Sequence, residues 1–238
     1  MASSRLKRQA QKSRVRDDYT GALVTIVDPA GAASEAYRSL RTNLLYAVVD
    51  RPPKVVLLTS PGSAEGKSTT CANLGGVLAH AGNNTLLIDT DLRTPSLHKF
   101  FGVRNFRGVM NVLSGENRLL DVLVEPSPGL KIAPTGPIPS NPSELLGSDR
   151  FASLVEEARQ LFDYVVLDSP PVGLVPDPMV IATQADAVLL VVDAQGTRKE
   201  SLRKALRSLE SVGANVLGTV MNNVEASKSA RYYGSADH

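Results

Sequence analysis

The most informative stretch of this sequence is VVLLTSPGSAEGKSTTCANL, Val55 to Leu74. Its apolar start, Val55 to Leu58, predicts a buried strand; a loop rich in Gly, Ser and Pro follows, and a helix opens at Gly66-Lys67-Ser68. Strand, glycine loop, Gly-Lys-Ser and helix, in this order, are typical of a phosphate-binding P-loop. The alternative, an ordinary βα turn with a surface lysine, leaves the Gly-Lys-Ser run unexplained.

The chemistry of a P-loop explains these residue types. Glycines let backbone N–H groups approach phosphate oxygens, and the helix N-terminus adds a partial positive charge. Lys67 can reach the β- and γ-phosphates of ATP, and Ser68 can ligate Mg²⁺. The segment therefore predicts a site for a magnesium nucleotide.

Composition places the chain among ordinary globular proteins. With 238 residues, 42% of them hydrophobic and 21% charged, it can bury a sizeable core. A net charge of +2 gives no general argument for a nucleic-acid partner. No apolar run approaches the roughly 18 residues of a membrane span. The start of the chain also lacks the apolar stretch of a signal peptide, so we expect a cytoplasmic protein.

Cysteine and histidine give no sign of a metal site in this sequence. The single cysteine, Cys71, excludes an internal disulfide and a cysteine metal cluster, and its spacing to Leu74 and Leu78 favours a packed core position. The histidines show no ligand spacing, so we assign no metal to them.

The two ends of the chain differ from its middle in composition. Residues 1–18 are polar and basic and predict a flexible arm, either solvated or in contact with an anionic membrane face or an acidic partner. Residues 225–238 are polar and predict a flexible tail that carries Tyr232 and Tyr233. Residues 19–224 contain no repeat and no convincing linker, and we expect them to form one domain.

Short apolar runs alternate with helical patterns along that domain. The predicted strands after the first are 86–88, 130–133, 164–167, 187–192 and 216–221. The predicted helices besides the P-loop helix are 35–49, 96–101, 119–124, 143–146, 149–162 and 199–212. This alternation predicts an α/β fold with a single doubly wound, mostly parallel sheet and helices on both faces.

Two of these strands end in acidic residues. Asp89 and Asp91 follow the second strand and, with a strand period of two, project from the same side. Open α/β sheets bind ligands at this end of their strands. The alternative is a carboxylate pair that caps the following turn. Asp168 closes the strand 164–167 in a Walker B pattern, whose carboxylate holds Mg²⁺ directly or through water.

Charged residues also follow a helical spacing in the predicted helix 35–49. Ser34 is its expected N-cap. Glu35 and Arg38 lie opposite the apolar face of this helix, and Arg41 lies at its edge. The three charged residues therefore form an outward stripe. Such a stripe is either a solvated helix face or the self-complementary edge of an oligomer.

Several stretches together resemble the bacterial tyrosine kinases of capsule and exopolysaccharide synthesis (BY-kinases, the CpsD/CapB group), which belong to the MinD- and ParA-like P-loop ATPases. These stretches, in the order of the family and across most of the chain, are EAYRSLRTN, GKSTT, LLIDTDLRTPSLHKFFG, GPIPSNPSELL, FDYVVLDSPP and the C-terminal tyrosines. The IDTDLR run, called Walker A′ in this family, separates it from most P-loop proteins.

The resemblance implies roles for the matching residues. The residues expected to bind ATP are Gly62, Ser63, Ala64, Glu65, Gly66, Lys67, Ser68, Thr69 and Asn222, with Asn223 as the alternative for the adenine contact. The residues expected to hold Mg²⁺ are Ser68, Asp91 and Asp168. The catalytic residues would be Lys67, Asp89 and Asp91. Of the two Walker A′ acids, one would orient the tyrosine hydroxyl and the other would help to hold the metal.

The resemblance also implies assembly and partners. Glu35, Arg38 and Arg41 match an E-x-x-R-x-x-R motif through which subunits form a ring, and Tyr232 and Tyr233 would be phosphorylated by a neighbouring subunit. No transmembrane part is fused to the kinase, so the chain resembles the split arrangement with a separate transmembrane co-polymerase or adaptor. We therefore expect recruitment to the inner face of the cell membrane and peripheral membrane association through that adaptor.

Two departures from the family pattern leave alternatives open. Ser63 and Ala64 replace the usual Pro-Gly, and alanine where glycine can use a positive φ would strain the loop or weaken nucleotide binding. The tyrosine cluster is also shorter than usual. The expected function is an ATP-dependent tyrosine autokinase that regulates polysaccharide synthesis or export. The alternatives are a nucleotide-switch ATPase of the MinD/ParA type without tyrosine transfer, and a non-catalytic binding module.

Overall fold

The computed structural model describes residues 19–47 and 52–224, which are organised around a seven-stranded sheet. Its strands are β1 (Val55–Thr59), β2 (Thr85–Asp89), β3 (Val124–Ser127), β4 (Leu130–Ala133), β5 (Tyr164–Asp168), β6 (Ala187–Asp193) and β7 (Val216–Asn222). The predicted strands are confirmed, each within one residue at either end. Short apolar runs bounded by turn residues are typical of strands buried on both sheet faces, as β1, β2 and β5 are, whereas β7 at the sheet edge is only half-buried.

The strands lie in the order β3-β4-β2-β5-β1-β6-β7. Every neighbouring pair is parallel except β3 and β4, which are antiparallel. The prediction of one mostly parallel sheet is therefore confirmed. The register places Asp89 at the end of β2 directly beside Asp168 at the end of β5, and β5 adjoins β1, which leads into the P-loop.

Helices cover both faces of the sheet. They are α1 (Val24–Val27), α2 (Ala32–Tyr46), α3 (Lys67–His80), α4 (Leu97–Phe100), α5 (Val109–Leu113), α6 (Pro142–Leu146), α7 (Asp149–Leu161), α8 (Asp177–Ala182) and α9 (Lys199–Glu210). Two 3₁₀ helices, Tyr19–Ala22 and Leu119–Val122, accompany them.

Alternate residues of each strand enter two separate hydrophobic cores. Val55 and Leu57 of β1 face one core, which α5, α7, α8 and α9 complete, whereas Val56 and Leu58 face the core built with α2, α3 and α4. All four of these side chains are fully buried. The predicted core position of Cys71 on α3 is also confirmed. This period-two division is what a doubly wound sheet requires.

Some local predictions were wrong. The N-cap of α2 is Gly31, and Ser34 lies buried in its first turn, where its hydroxyl donates to the carbonyls of Val24 and Asp28. The run 119–124 contains a 3₁₀ helix and the start of β3, because Val124 pairs with Ile132 of β4. The sequence patterns also missed α1, α5 and α8, which are only four to six residues long.

The predicted arm and tail, including Tyr232 and Tyr233, lie outside the described residues. Among the residues that are described, no helix combines the length and the apolar character needed to cross a membrane.

Candidate active site

The P-loop joins β1 to α3 and uses two left-handed backbone positions. Gly66 has φ 90°, and a Cβ there would lie 1.8 Å from Nδ2 of Asn222, so only glycine fits. Ala64 has φ 61°. The expectation that alanine occupies a position of positive φ is therefore confirmed, and the loop carries a strained residue beside its phosphate-facing N–H groups.

Lys67 lies among the acids that the strand ends bring together. Its Nζ is 3.4 Å from Oδ2 of Asp91 and 3.3 Å from the hydroxyl of Ser68. Burial alone would lower the pKa of Lys67, but the carboxylates of Asp168 and Asp91 more than offset that effect and raise it above its ordinary value. The ammonium group is therefore charged at neutral pH and held at the end of the P-loop.

Asp89 and Asp91 both accept hydrogen bonds from the segment that follows β2. Asp89 Oδ2 accepts from the backbone N–H groups of Ser96 and Leu97, each at 3.0 Å, and Asp91 Oδ1 accepts from the N–H of Thr94 at 2.9 Å. The alternative interpretation, a carboxylate pair that caps the following turn, thus describes part of their role. Asp91 also faces Lys67, which a capping role does not require.

Asp89 is buried beside a second acid and is difficult to ionise. Burial, reinforced by the charge of Asp168, raises its pKa to about 8, although the N–H groups of Leu97 and Ser96 act in the opposite direction. A carboxyl with two backbone donors on one oxygen fixes the Walker A′ loop. Of the two acids, Asp91 is the one in contact with Lys67.

Asp168 has two fully buried carboxylate oxygens without a hydrogen-bond partner in the described part of the chain. Burial raises its pKa to about 6, and the positive charge of Lys67 and the nearby Ser68 hydroxyl limit the rise. The Ser68 hydroxyl is close to Asp168 but does not form a hydrogen bond with either carboxylate oxygen. Buried polar atoms in folded proteins nearly always have partners. A cation, or water bound to a cation, would supply one here.

The charges fit a divalent cation. Three buried acids, Asp89, Asp91 and Asp168, surround the single ammonium of Lys67. The described residues contain no group of three or more acidic, histidine or cysteine side chains arranged to hold a metal without help. Mg²⁺ suits such a site, because it is usually bound by one or two protein oxygens together with phosphate and water.

Glu65 and Thr197 brace the P-loop in a way that the sequence patterns missed. Glu65 Oε2 accepts from the N–H of Gly62 at 2.8 Å, and its Oε1 accepts from the hydroxyl of Thr197 at 2.5 Å. Thr197 Oγ1 in turn accepts from the N–H of Asp193 at the end of β6. These contacts tie the loop after β6 to the P-loop. The two residues are 132 positions apart, so no local pattern could have shown them.

Asn222 and Asn223 occupy different environments. Nδ2 of Asn222 donates to the carbonyl of Glu65 at 3.3 Å, whereas Nδ2 of Asn223 donates to Asp193. Both residues line an apolar groove of about 440 Å³ beside Thr69 of α3. That volume lies within the range of small-molecule sites. The groove runs along α2 and reaches Thr69 and Thr70 in the first turn of α3.

A second group that the sequence patterns missed links the Walker A′ loop to two helices near Asp91. The guanidinium of Arg93 donates to both oxygens of Asp177, at 2.6 and 3.1 Å, and to the hydroxyl of Ser143 at 3.2 Å. Asp177 is fully buried, which by itself would raise its pKa. Hydrogen bonds from the Arg93 guanidinium and from the Ser143 hydroxyl more than offset this effect and lower the pKa of Asp177 below its ordinary value. The Walker A′ loop is thereby fastened to α6 and α8.

The three charged residues of the predicted stripe on α2 lie together at the surface, with Arg41 at the edge. Glu35 and Arg38 form an ion pair of 2.7 Å on the exposed side. Arg41 lines the same shallow surface depression as this pair, and its Nη1 also donates to the carbonyl of Val77 at 3.1 Å. The last turn of α3 offers carbonyl groups and a partial negative charge that favour a cation at this place.

The strand order, the P-loop and the buried acids define a P-loop nucleotide-binding protein. Comparison of the sequence with known families and proteins supports this class. Residues 56–235 match the family described as the CobQ/CobB/MinD/ParA nucleotide binding domain. The tyrosine-protein kinase YwqD of Bacillus subtilis (strain 168) is 38% identical over 219 residues, which cover 91% of this chain and 92% of that protein.

Superposition on solved structures also finds proteins of this kind. The chimerical protein CapA2B2 superposes with a TM-score of 0.83 at 32% identity over 87% of this chain and 91% of that one. The kinase domain of the Escherichia coli tyrosine kinase ETK gives 0.82 at 32% identity over 87% and 82%. The chain belongs to the bacterial tyrosine kinases of the CpsD/CapB group, within the MinD/ParA-like P-loop ATPases.

Proposed function

We propose that this protein is an ATP-dependent protein-tyrosine autokinase that regulates capsular or exopolysaccharide synthesis or export. The observation that carries the proposal is the placement of Lys67 between Asp91 and the unpartnered buried carboxylate of Asp168, at the mouth of a P-loop. Membership of the tyrosine-kinase family supports tyrosine as the acceptor.

In this proposal the P-loop binds and orients the phosphates. The backbone N–H groups from Ser63 to Thr69 and the ammonium of Lys67 would approach the β- and γ-phosphates of ATP, while Ser68, Asp91 and Asp168 are the oxygen ligands available to Mg²⁺. The N–H of Gly62 instead donates to Glu65 and holds the loop in shape. Bound Mg²⁺ would neutralise the charge on the phosphates. The apolar groove beside Thr69 and Asn222 would take the adenine base.

The chain has little covalent chemistry to perform. The tyrosine oxygen attacks the γ-phosphorus, the bond to the β-phosphate oxygen breaks, and ADP leaves. A tyrosine hydroxyl has a pKa of about 10 and an aspartic acid one of about 4, so a carboxylate accepts the proton only late in the transfer. We assign that step to Asp89, the Walker A′ acid that is not among the proposed Mg²⁺ ligands, since both oxygens of Asp91 also accept hydrogen bonds from its loop. Because burial and the charge of Asp168 raise the pKa of Asp89, it would take this role only once bound nucleotide and cation favour its ionised form.

The acceptor, the assembly and the membrane partner extend the proposal. Tyr232 and Tyr233 would be the tyrosines presented to a neighbouring subunit of a ring-like homo-oligomer. The exposed Glu35–Arg38 pair on α2 is available for contact between subunits, whereas Arg41 would act through its bond to α3. A separate transmembrane adaptor would recruit the kinase to the inner face of the membrane.

The test is an anti-phosphotyrosine assay of purified protein with Mg-ATP. Lys67→Met is expected to abolish the signal, and the Tyr232→Phe, Tyr233→Phe double variant to remove most of it. Lys199→Met, which removes an exposed lysine at the start of α9, is the matched control and should leave the signal unchanged. ATP hydrolysis without phosphotyrosine in any sample would favour a nucleotide switch instead.

A further inference from the structure

The side-chain amide of Asn73 on α3 makes four hydrogen bonds, and three of them join α3 to residues 22–25. Its Nδ2 donates to the carbonyl of Ala22 at 2.8 Å and to that of Thr69 at 2.9 Å. Its Oδ1 accepts from the N–H and the hydroxyl of Thr25, at 3.1 and 3.0 Å. Asn73 is fully buried. The amide therefore clamps residues 22–25, here called the strap, onto the P-loop helix.

The strap lies very close to the helix that it crosses. A Cβ at Gly76 of α3 would come within 2.9 Å of the Thr25 hydroxyl, so the chain uses glycine at this approach. The strap is joined in turn to α2, because the Ser34 hydroxyl donates to the carbonyl of Val24. Arg41 adds a bond from α2 to Val77 of α3. The strap and α2 thus dock on α3 as one unit.

This unit forms one wall of the groove beside the P-loop. Ala22 and Val24 of the strap line it together with the inner face of α2, and the opposite wall comes from Thr69, Thr70 and residues 220–224. The outer face of the same helix carries the exposed Glu35–Arg38 pair. A shift of the strap would therefore change both the groove and the outer surface of α2.

We propose that Asn73 is a positioning residue for the nucleotide, and that its clamp on the strap couples nucleotide binding in the groove to the outer face of α2. The inference rests on the proposed function in assigning the groove to the base of ATP. Because coupling between two sites is reciprocal, a contact made on the outer face of α2 would change nucleotide affinity, and bound nucleotide would order the strap and α2.

The first test measures affinity for Mg-ADP by calorimetry. Thr25→Val removes one buried hydrogen bond from the clamp and is expected to weaken binding about threefold, whereas Thr25→Ser keeps the hydroxyl and should stay at the wild-type value. Asn73→Leu, which removes every hydrogen bond of the clamp, should weaken binding about tenfold or more. Val155→Ala on α7 is the control for general loss of stability, because it lies in the other core.

The second test measures amide hydrogen exchange over residues 22–46 with and without Mg-ADP. We expect the nucleotide to slow exchange there in the wild type and in Thr25→Ser, and to have no such effect in Asn73→Leu. Wild-type affinity in both Thr25→Val and Asn73→Leu would overturn the inference, as would equal weakening in Val155→Ala. These outcomes are separate from the phosphotyrosine result of Lys67→Met, which tests the proposed function.

Discussion

Replacing Asp168 by asparagine should stabilise the nucleotide-free protein at high pH. The raised pKa of Asp168 means that, between pH 3.8 and about 6, the folded protein keeps a proton that the unfolded chain has lost. The free energy of unfolding therefore falls as the pH rises through that window. A shift from 3.8 to about 6, at 1.36 kcal/mol per pKa unit, corresponds to a loss on the order of 3 kcal/mol above pH 6.

Asparagine is neutral at every pH, so the free energy of unfolding of Asp168→Asn does not fall in this pH window. Its buried amide has no hydrogen-bond partner, however, which lowers the free energy of unfolding by about 1–3 kcal/mol at every pH. Asp168→Asn should therefore be less stable than the wild type near pH 4 and as stable or more stable at pH 8. The swing between the two conditions is about 3 kcal/mol, or roughly 6–12 °C in melting temperature for a chain of this size.

The assay is thermal unfolding in EDTA at pH 4.5, 6 and 8, repeated at pH 8 with Mg-ADP. Added Mg-ADP should raise the melting temperature of the wild type and leave that of Asp168→Asn nearly unchanged, because a ligand that binds only the folded state stabilises it. If the difference in melting temperature between the two proteins is the same at all three pH values, the pKa of Asp168 is not raised in the folded protein. That result would mean that the Asp168 carboxylate already has a partner in the folded protein.

Three further predictions concern the loops around the site. Ala64→Gly removes the strain of an alanine in the left-handed backbone conformation, although the more flexible glycine loses more conformational entropy on folding. The variant should melt about 1–3 °C higher than the wild type and bind Mg-ADP no more weakly. Arg93→Ala leaves the buried Asp177 without its guanidinium and should cost about 1–2 kcal/mol in urea unfolding at neutral pH, a figure discounted for the partial exposure of Arg93. Thr197→Val should raise the KM for ATP several-fold and Thr197→Ser should not, since only serine keeps the donor to Glu65.

Each of these predictions has a contradicting result. A lower melting temperature in Ala64→Gly would show that the alanine is not strained. The lowered pKa of Asp177 stabilises the fold above its ordinary value of 3.8, so a deficit in Arg93→Ala that persists unchanged as the pH falls well below that value would contradict the ion pair. Equal KM values in the two Thr197 variants would contradict a role for the hydroxyl in the P-loop.

The fold was predictable because its signals are local. Five of the strands after β1 could be located from apolar runs, and the P-loop is a contiguous motif. Strand β3 was missed because Val124–Ser127 is mostly exposed and pairs only at one edge, so its sequence lacks a buried run. Ser34 was misread as a cap because a serine before a helical pattern looks the same whether its hydroxyl caps its own helix or bonds to carbonyls of residues 24 and 28.

The site was predictable only where a motif carries it. Lys67, Asp91 and Asp168 belong to recognisable runs, and the structure brings them together. Asn73, Thr197 and Asp177 act through partners 48 to 132 positions away, and none differs in sequence from a routine polar residue. Their roles depend on tertiary contacts, which a local pattern does not contain.

Phosphate transfer from ATP to tyrosine in this protein should require the P-loop lysine, Lys67. The most direct measurement is the anti-phosphotyrosine signal of wild type, Lys67→Met and Lys199→Met with Mg-ATP, each with and without a cytoplasmic segment of a membrane adaptor. We expect a signal in the wild type and in Lys199→Met, and none in Lys67→Met. Undiminished phosphotyrosine in Lys67→Met, or none in the wild type with the adaptor segment present, would contradict this expectation.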